Sequence, residues 1–180
     1  MSKVLSAMLA ILVLCSMTAA SRAATSVNKK SSQKAPAAQS AKKVKAAPAV
    51  RLSDHEQRLV KAVNLYREKK GLEPLEVDPI LMTEARKAAP HFSHTINGKW
   101  CWSRCKQRGF RGWATDDIAN GYPTPEDAVQ GWATSDGHAR QMRGYFKMNG
   151  RWENYQFDRI GVGISGRKYI AIFGNANVRR

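Results

Sequence analysis

From residue 53 onward, runs of apolar residues at helical spacing alternate with turn and cap signals. Ser53-Asp54-His55-Glu56 has the composition of a capping box, in which a hydroxyl and a carboxylate satisfy end N–H groups reciprocally. Leu59, Ala62, Val63 and Tyr66 then recur at helical spacing and predict one buried stripe, ended by Gly71. Asp78-Pro79 predicts a second helix, with Ile80, Leu81, Ala85 and Ala88 on its inner face and Pro90 complicating its end. Residues 93–123 are polar, rich in Gly and Trp, and read as irregular, with one or two helical turns at Ser103–Arg108. Thr124-Pro125-Glu126-Asp127 repeats the helix-start signal. That helix runs to about Thr134 and turns Ala128, Val129 and Trp132 inward. Gly137-His138 opens a further short helical stretch. The period then changes: Arg159–Ile164 and Lys168–Phe173 are β-branched and aromatic, and Ser165-Gly166-Arg167 between them predicts a β-hairpin. Helices followed by antiparallel strands imply a layered α+β domain at residues 51–180, about 130 residues, enough for an adequate core without staples.

The front of the chain differs. Among 180 residues no Asp or Glu precedes Asp54, and eight of the 30 basic residues lie in the first fifty. Residues 51–180 therefore carry a net charge of +8, half of the +16 total. Lys3, the apolar run Val4–Met17 and small residues at Thr18-Ala19-Ala20, or at Ser21-Arg22-Ala23, predict a signal peptide at 1–20. The run is short for a bilayer span, so no transmembrane segment is expected in the mature chain. Leu14 before Cys15 is too large for the usual lipid-attachment site. Residues 21–50 are Ala, Lys, Ser, Gln and Pro, with too little apolar surface to offset ordering entropy; a disordered basic linker is expected. Such a segment suits an anionic surface or serves as a solubilising spacer. The expected location is periplasmic or extracellular.

Several segments in order carry a resemblance. Asn64-Leu65-Tyr66-Arg67, Gly71-Leu72-Glu73-Pro74-Leu75 and Asp78 are followed by Phe92-Ser93-His94 and Ile118-Ala119-Asn120-Gly121-Tyr122. Ala128-Val129-Gln130-Gly131-Trp132, Ser135-Asp136-Gly137-His138 and Ile160-Gly161-Val162-Gly163 complete the series. Together they resemble bacterial members of the CAP superfamily, which includes cysteine-rich secretory proteins, venom allergens and plant pathogenesis-related proteins. The resemblance implies a three-layer α-β-α sandwich with a central, largely antiparallel sheet, and a cleft holding two histidines and acidic residues. His94 and His138 match the histidines. Asp116-Asp117 stand where the family usually has Glu-Asn.

Two imidazoles and a carboxylate suit a divalent metal such as Zn2+, with room for water. His94, Asp116 and His138 are accordingly candidate ligands, with Asp117 a further candidate. The same residues can act as an acid–base pair or simply organise loops by hydrogen bonding. No Ser or Cys nucleophile is set beside them by a recognised motif. Three functions follow: a cell-envelope or extracellular ligand-binding module, a metal-dependent hydrolase using His94, Asp116 and His138, or a charge-driven polyanion binder with a vestigial cleft. The partner expected of the first is an anionic envelope polymer or a small lipid or glycan. Cys101 and Cys105 are expected to pair as a disulfide in an exported protein; the alternative is metal ligation with His91 and His94. His55 is expected to face solvent. Arg140, Arg143, Tyr145, Phe146, Lys147, Arg151 and Trp152 interleave charge with aromatic surface. They read either as an anion-binding stretch or as a solvated loop with two core aromatics. No motif for specific nucleic-acid recognition appears.

Overall fold

The computed structural model describes residues 50–176. The expected signal peptide and nearly all of the linker lie outside the described residues. The chain divides into two units, Met1–Lys45 and Ala46–Arg180, and every described residue belongs to the second.

The element order is α1 (Asp54–Glu68), β1 (Glu76–Val77), α2 (Pro79–Ala88), β2 (Thr95–Ile96), β3 (Lys99–Trp100), α3 (Cys101–Gln107), β4 (Ala114–Asn120), α4 (Pro125–Thr134), α5 (Asp136–Met142), β5 (Tyr145–Met148), β6 (Arg151–Asn154), β7 (Arg159–Ser165) and β8 (Lys168–Gly174). The expected starts of α1, α2 and α4 are where the caps place them. Ser53 Oγ accepts from the Glu56 amide at 3.3 Å while Glu56 accepts from the Ser53 amide at 2.8 Å. Asp78 caps α2 through the Ile80 and Leu81 amides, and Thr124 caps α4 through Asp127.

The main sheet runs β1-β7-β8-β4. β1 joins β7 in parallel, and the other two pairings are antiparallel. Because side chains alternate across a strand, each strand feeds two cores. Ile170 and Ile172 pack with Leu81, Ala85 and Ala88 of α2 and with the cysteines of α3. Val162, Ala171 and Phe173 pack on the opposite face with Leu59 and Val63 of α1, Val129 and Trp132 of α4 and Met142 of α5. The result is the three-layer α-β-α sandwich. Gly161 and Gly163 let α2 lie directly on β7: a Cβ at Gly163 would stand 2.2 Å from the Ala85 carbonyl oxygen.

The motif residues of α1 lock this arrangement. Asn64 exchanges two hydrogen bonds with the Leu75 backbone, at 2.8 and 3.1 Å. The buried Arg67 guanidinium donates to the carbonyls of Glu73, Met142 and Phe157, tying α1 to the end of α5 and to the approach to β7.

Two regions depart from expectation. Residues 93–123 are not irregular: they hold a short β2–β3 hairpin, α3 and the seven-residue strand β4. Asn97 and Gly98 turn the hairpin, both at positive φ (51° and 71°), a combination for which Asn-Gly is the strongest local signal. Strand β4 was hidden because Asp116 and Asp117 interrupt its apolar pattern. The basic and aromatic stretch after Arg140 is likewise no loop; it closes α5 and forms the β5–β6 hairpin. Trp152 there is half-buried, with Arg140 and Lys147 over its ring at 5.6 and 6.0 Å.

Candidate functional site: a cleft on the outer edge of the sheet

Strand β4 ends the sheet, paired on one side to β8. Three consecutive residues of it, Ala114, Thr115 and Asp116, line a cleft of about 410 Å³. Successive strand side chains point to opposite faces. A cavity touching all three therefore lies along the strand's edge, between the α3 layer and the α5 layer. Cys101 and Trp102 contribute from the first side, Gln141 from the second, and Phe146 and Lys147 from β5.

His94 reaches this cleft from the segment between α2 and β2, which is held by a relay of charge. Glu84 on α2 is 2% exposed. It pairs with Arg104 on α3 at 3.1 Å and also with Arg108. Arg104 in turn donates to the backbone carbonyls of His94 at 3.2 Å and Lys99 at 2.7 Å. A buried ion pair thus fixes both ends of the β2–β3 hairpin, and with it the histidine.

His94 Nδ1 stands 3.2 Å from Asp116 Oδ2. The approach is close but poorly directed, so Oδ2 is buried without a well-aligned donor. This polar contact holds His94 above the ordinary histidine range; partial burial opposes the shift and charge attraction adds to it. His138 stands on α5, one turn before Gln141, with Nδ1 2.9 Å from Ser135 Oγ. Burial lowers its affinity for a proton, and the nearby charge of His94 lowers it further. In both residues Nδ1 is engaged by an oxygen, the arrangement that leaves Nε2 for a ligand.

Asp117 does not take the expected role of a ligand. It is fully buried, neither carboxylate oxygen has a partner, and strand alternation puts it on the opposite face of β4 from Asp116. Burial, and then the charge of Asp116, pushes its pKa well above the usual carboxylate range. It lies inside the fold, where burial favours its neutral form, and does not line the cleft.

For a divalent cation, the structure supplies the His94–Asp116 pair with an under-satisfied oxygen. Among the described residues, however, no three His, Cys, Asp or Glu side chains stand together as a metal site, whereas a zinc site takes three or four protein ligands.

The cysteine expectation needs correction. Cys101 and Cys105 are free thiols, 2% and 0% exposed, on successive turns of α3. Regular helix sets their Cα–Cβ bonds side by side instead of facing, which a disulfide tolerates badly. The Cys101 thiol is held well above the ordinary range by its hydrogen bond with Cys105, by burial and by the charge of Asp116. It is therefore protonated, and a poor nucleophile, although it lines the cleft. His91 is exposed and joins neither thiol in a metal cluster; His55 is exposed as expected.

The sequence reading passed over the aromatic surroundings. Trp100, Trp102 and Trp113 are 57%, 39% and 37% exposed. The Gly- and Trp-rich composition of this stretch was the available signal, but composition does not say which tryptophans stay outside.

The sequence profile of the CAP, or cysteine-rich secretory protein, family matches residues 60–144. The uncharacterized protein YkwD of Bacillus subtilis is 30% identical over 121 residues, covering 62% of this chain and 43% of that protein. The chain thus spans less than half the length of this relative. Among solved structures, an outer surface protein of Borrelia burgdorferi superposes with a TM-score of 0.57 at 19% identity, over 70% of this chain and 96% of that one. An extracellular protein containing an SCP domain from Bacillus anthracis gives 0.55 at 23% identity, over 71% and 45%. These structural likenesses carry the fold and leave the chemistry to the residues.

Proposed function

Because the folded part of this chain is a CAP domain of the bacterial type, we propose that the protein is an exported ligand-binding module of the cell envelope or its surroundings. The cleft on the outer edge of β4 would be its binding site. The observation that carries this reading is the cleft itself: it is open, mixed in polarity, and has the His94–Asp116 pair in its wall. Sites of this kind use apolar walls for affinity and a few fixed polar groups for orientation. Export is supported by the signal-like first twenty residues. It is also supported by structural relatives described as extracellular or outer-surface proteins. No helix among the described residues is long and apolar enough to cross a membrane.

The hydrolase alternative has one observation in its favour, a histidine set against a buried carboxylate. Against its metal-dependent form, no three His, Cys, Asp or Glu side chains stand together as a metal site among the described residues. The polyanion alternative rests on net charge and predicts binding that collapses with salt.

The test is a thermal-shift panel on the mature protein and its His94→Ala variant, with short lipids, uronate- and phosphate-bearing polymers and neutral oligosaccharides. A cleft ligand should raise the melting temperature of wild type by several degrees, as mass action requires, and that of the variant by much less. If every stabilising compound acts equally on both, the cleft is not the binding site. Ester hydrolysis that is lost in His94→Ala would favour the enzyme.

A further inference from the structure

Two tryptophans at the mouth of the cleft and a third beside them keep much of their surface in water. Trp100 and Trp102 line the cavity itself. Trp113 continues the surface, its ring 5.9 Å from Trp102 and 5.8 Å from Tyr155, and Phe146 follows 6.0 Å beyond Tyr155. Single exposed aromatics are ordinary, but a contiguous exposed aromatic surface beside a polar cleft marks a binding site. Tryptophan is an expensive residue to leave wet, since it carries the largest apolar area of any side chain.

Resting on the reading of this cleft as a binding site, we propose that its occupant is a sugar chain, stacked on the tryptophan shelf and hydrogen-bonded in the cleft. A pyranose ring has a flat face of polarised C–H groups and an edge of hydroxyls. The negative face of an aromatic ring attracts such C–H groups, and indole offers the broadest such surface. Hydroxyl edges need donors and acceptors at fixed positions. Thr115, Gln141 and His94 supply them, with the Thr115 hydroxyl already 2.8 Å from the Gln141 side-chain oxygen. Lys147 adds one cation to the wall, against the Asp116 carboxylate, so a carboxylate-bearing chain and a neutral one are both tested.

The rival occupants fit less well. A lipid tail needs an enclosed apolar tunnel, and this cleft is open and mixed in polarity. A peptide adding as a strand along β4 would engage backbone groups and leave the exposed tryptophans unused. Single-stranded nucleic acid also stacks on aromatic rings, but it needs a cationic groove along its backbone, and Lys147 is the one lysine or arginine lining this cavity among the described residues.

The experiment is calorimetry and intrinsic tryptophan fluorescence on the mature protein with a hyaluronan hexasaccharide. Chitotetraose, a ten-residue oligothymidylate and an unstructured octapeptide serve as comparisons, each at 150 and 500 mM salt. The hexasaccharide should bind saturably, shift the tryptophan emission and keep most of its affinity at high salt. Trp102→Ala and Trp113→Ala should each weaken it by roughly tenfold, and Trp113→Phe by less, because a smaller ring keeps part of the stack. Circular dichroism should be unchanged in all three. Equal binding by wild type and the tryptophan variants overturns the proposal, as does a preference for the oligonucleotide or peptide. Loss of all binding at 500 mM salt also overturns it, assigning the interaction to charge alone. If neither sugar binds at millimolar concentration while another compound still stabilises the protein through His94, the sugar is refuted and the cleft reading survives. If nothing depends on His94 either, both fail together.

Discussion

Replacing Asp117 by Asn tests how the centre of the fold tolerates an acid. The side chain is fully buried and neither oxygen finds a donor. Its pKa is raised well above the ordinary value by burial and by Asp116. Between the unfolded and folded pKa values the native state holds a proton that the unfolded chain has released. Stability therefore falls as pH rises through that interval, and the full penalty remains above it. Asn has the same shape and carries no charge, but its amide is as short of partners as the acid. The substitution thus removes only the ionisation penalty. The expected gain is about 1–3 kcal/mol at pH 7.5, or roughly 3–12 °C in melting temperature for a domain of this size. It should shrink towards zero near pH 4, where the unfolded carboxyl is already about half protonated. Guanidinium unfolding of both proteins at pH 4, 5.5, 7 and 8 measures the difference directly. A gap that stays constant with pH, or a variant less stable at pH 7.5, would refute the assignment of Asp117 as a buried neutral acid. Asn is also the residue expected at this position from the family resemblance, so the experiment asks what the departure costs.

Gly163→Ala should destabilise by about 3 kcal/mol, because its Cβ would meet the backbone of Ala85 at 2.2 and 2.3 Å, where nothing flexible can yield. Gly137→Ala, with open space around it in α5, should instead gain up to about 1 kcal/mol, and thermal melts that fail to show opposite signs would contradict the packing of α2 on β7. Arg104→Met leaves Glu84 to Arg108 alone, so it should cost about 1–3 kcal/mol and should speed amide exchange across residues 94–100; unchanged exchange would mean that Arg104 does not hold the His94 segment. In proton NMR, His94 should titrate above the ordinary histidine value and His138 below it. The stabilising contribution of His94 is complete below the unfolded pKa, is lost as pH rises through the folded one, and is small because 43% of the side chain is exposed. Asp116→Asn should return His94 towards its ordinary value, and the reverse order of the two titrations would overturn the pairing.

Local rules went far in this chain because its helices announce themselves within a few residues. A cap satisfies N–H groups two or three positions away, so Ser53, Asp78 and Thr124 mark α1, α2 and α4 without reference to anything distant. The alternation in Arg159–Phe173 likewise encodes β7 and β8, since a hairpin closes on its own turn. The ordered motifs also named His94 and Asp116, which stand 3.2 Å apart. What lay beyond local rules was set by contacts between segments far apart. Strand β4 exists because β8 pairs with it along its whole length, Asp116 opposite Ile172 and Asp117 opposite Ala171, and that pairing outweighs two adjacent acids with poor strand propensity. The same alternation sends one aspartate to the cleft and the other into the fold, a division that a one-residue shift of register would reverse. The thiols of Cys101 and Cys105 stay apart because α3 is regular helix, and α3 is anchored by a glutamate twenty residues earlier. The tryptophans of residues 100–113 remain at the surface for a related reason. The space inside is already filled by Phe110, Ile170 and Ile172, and close packing, not hydrophobicity alone, decides which large side chains a core can admit.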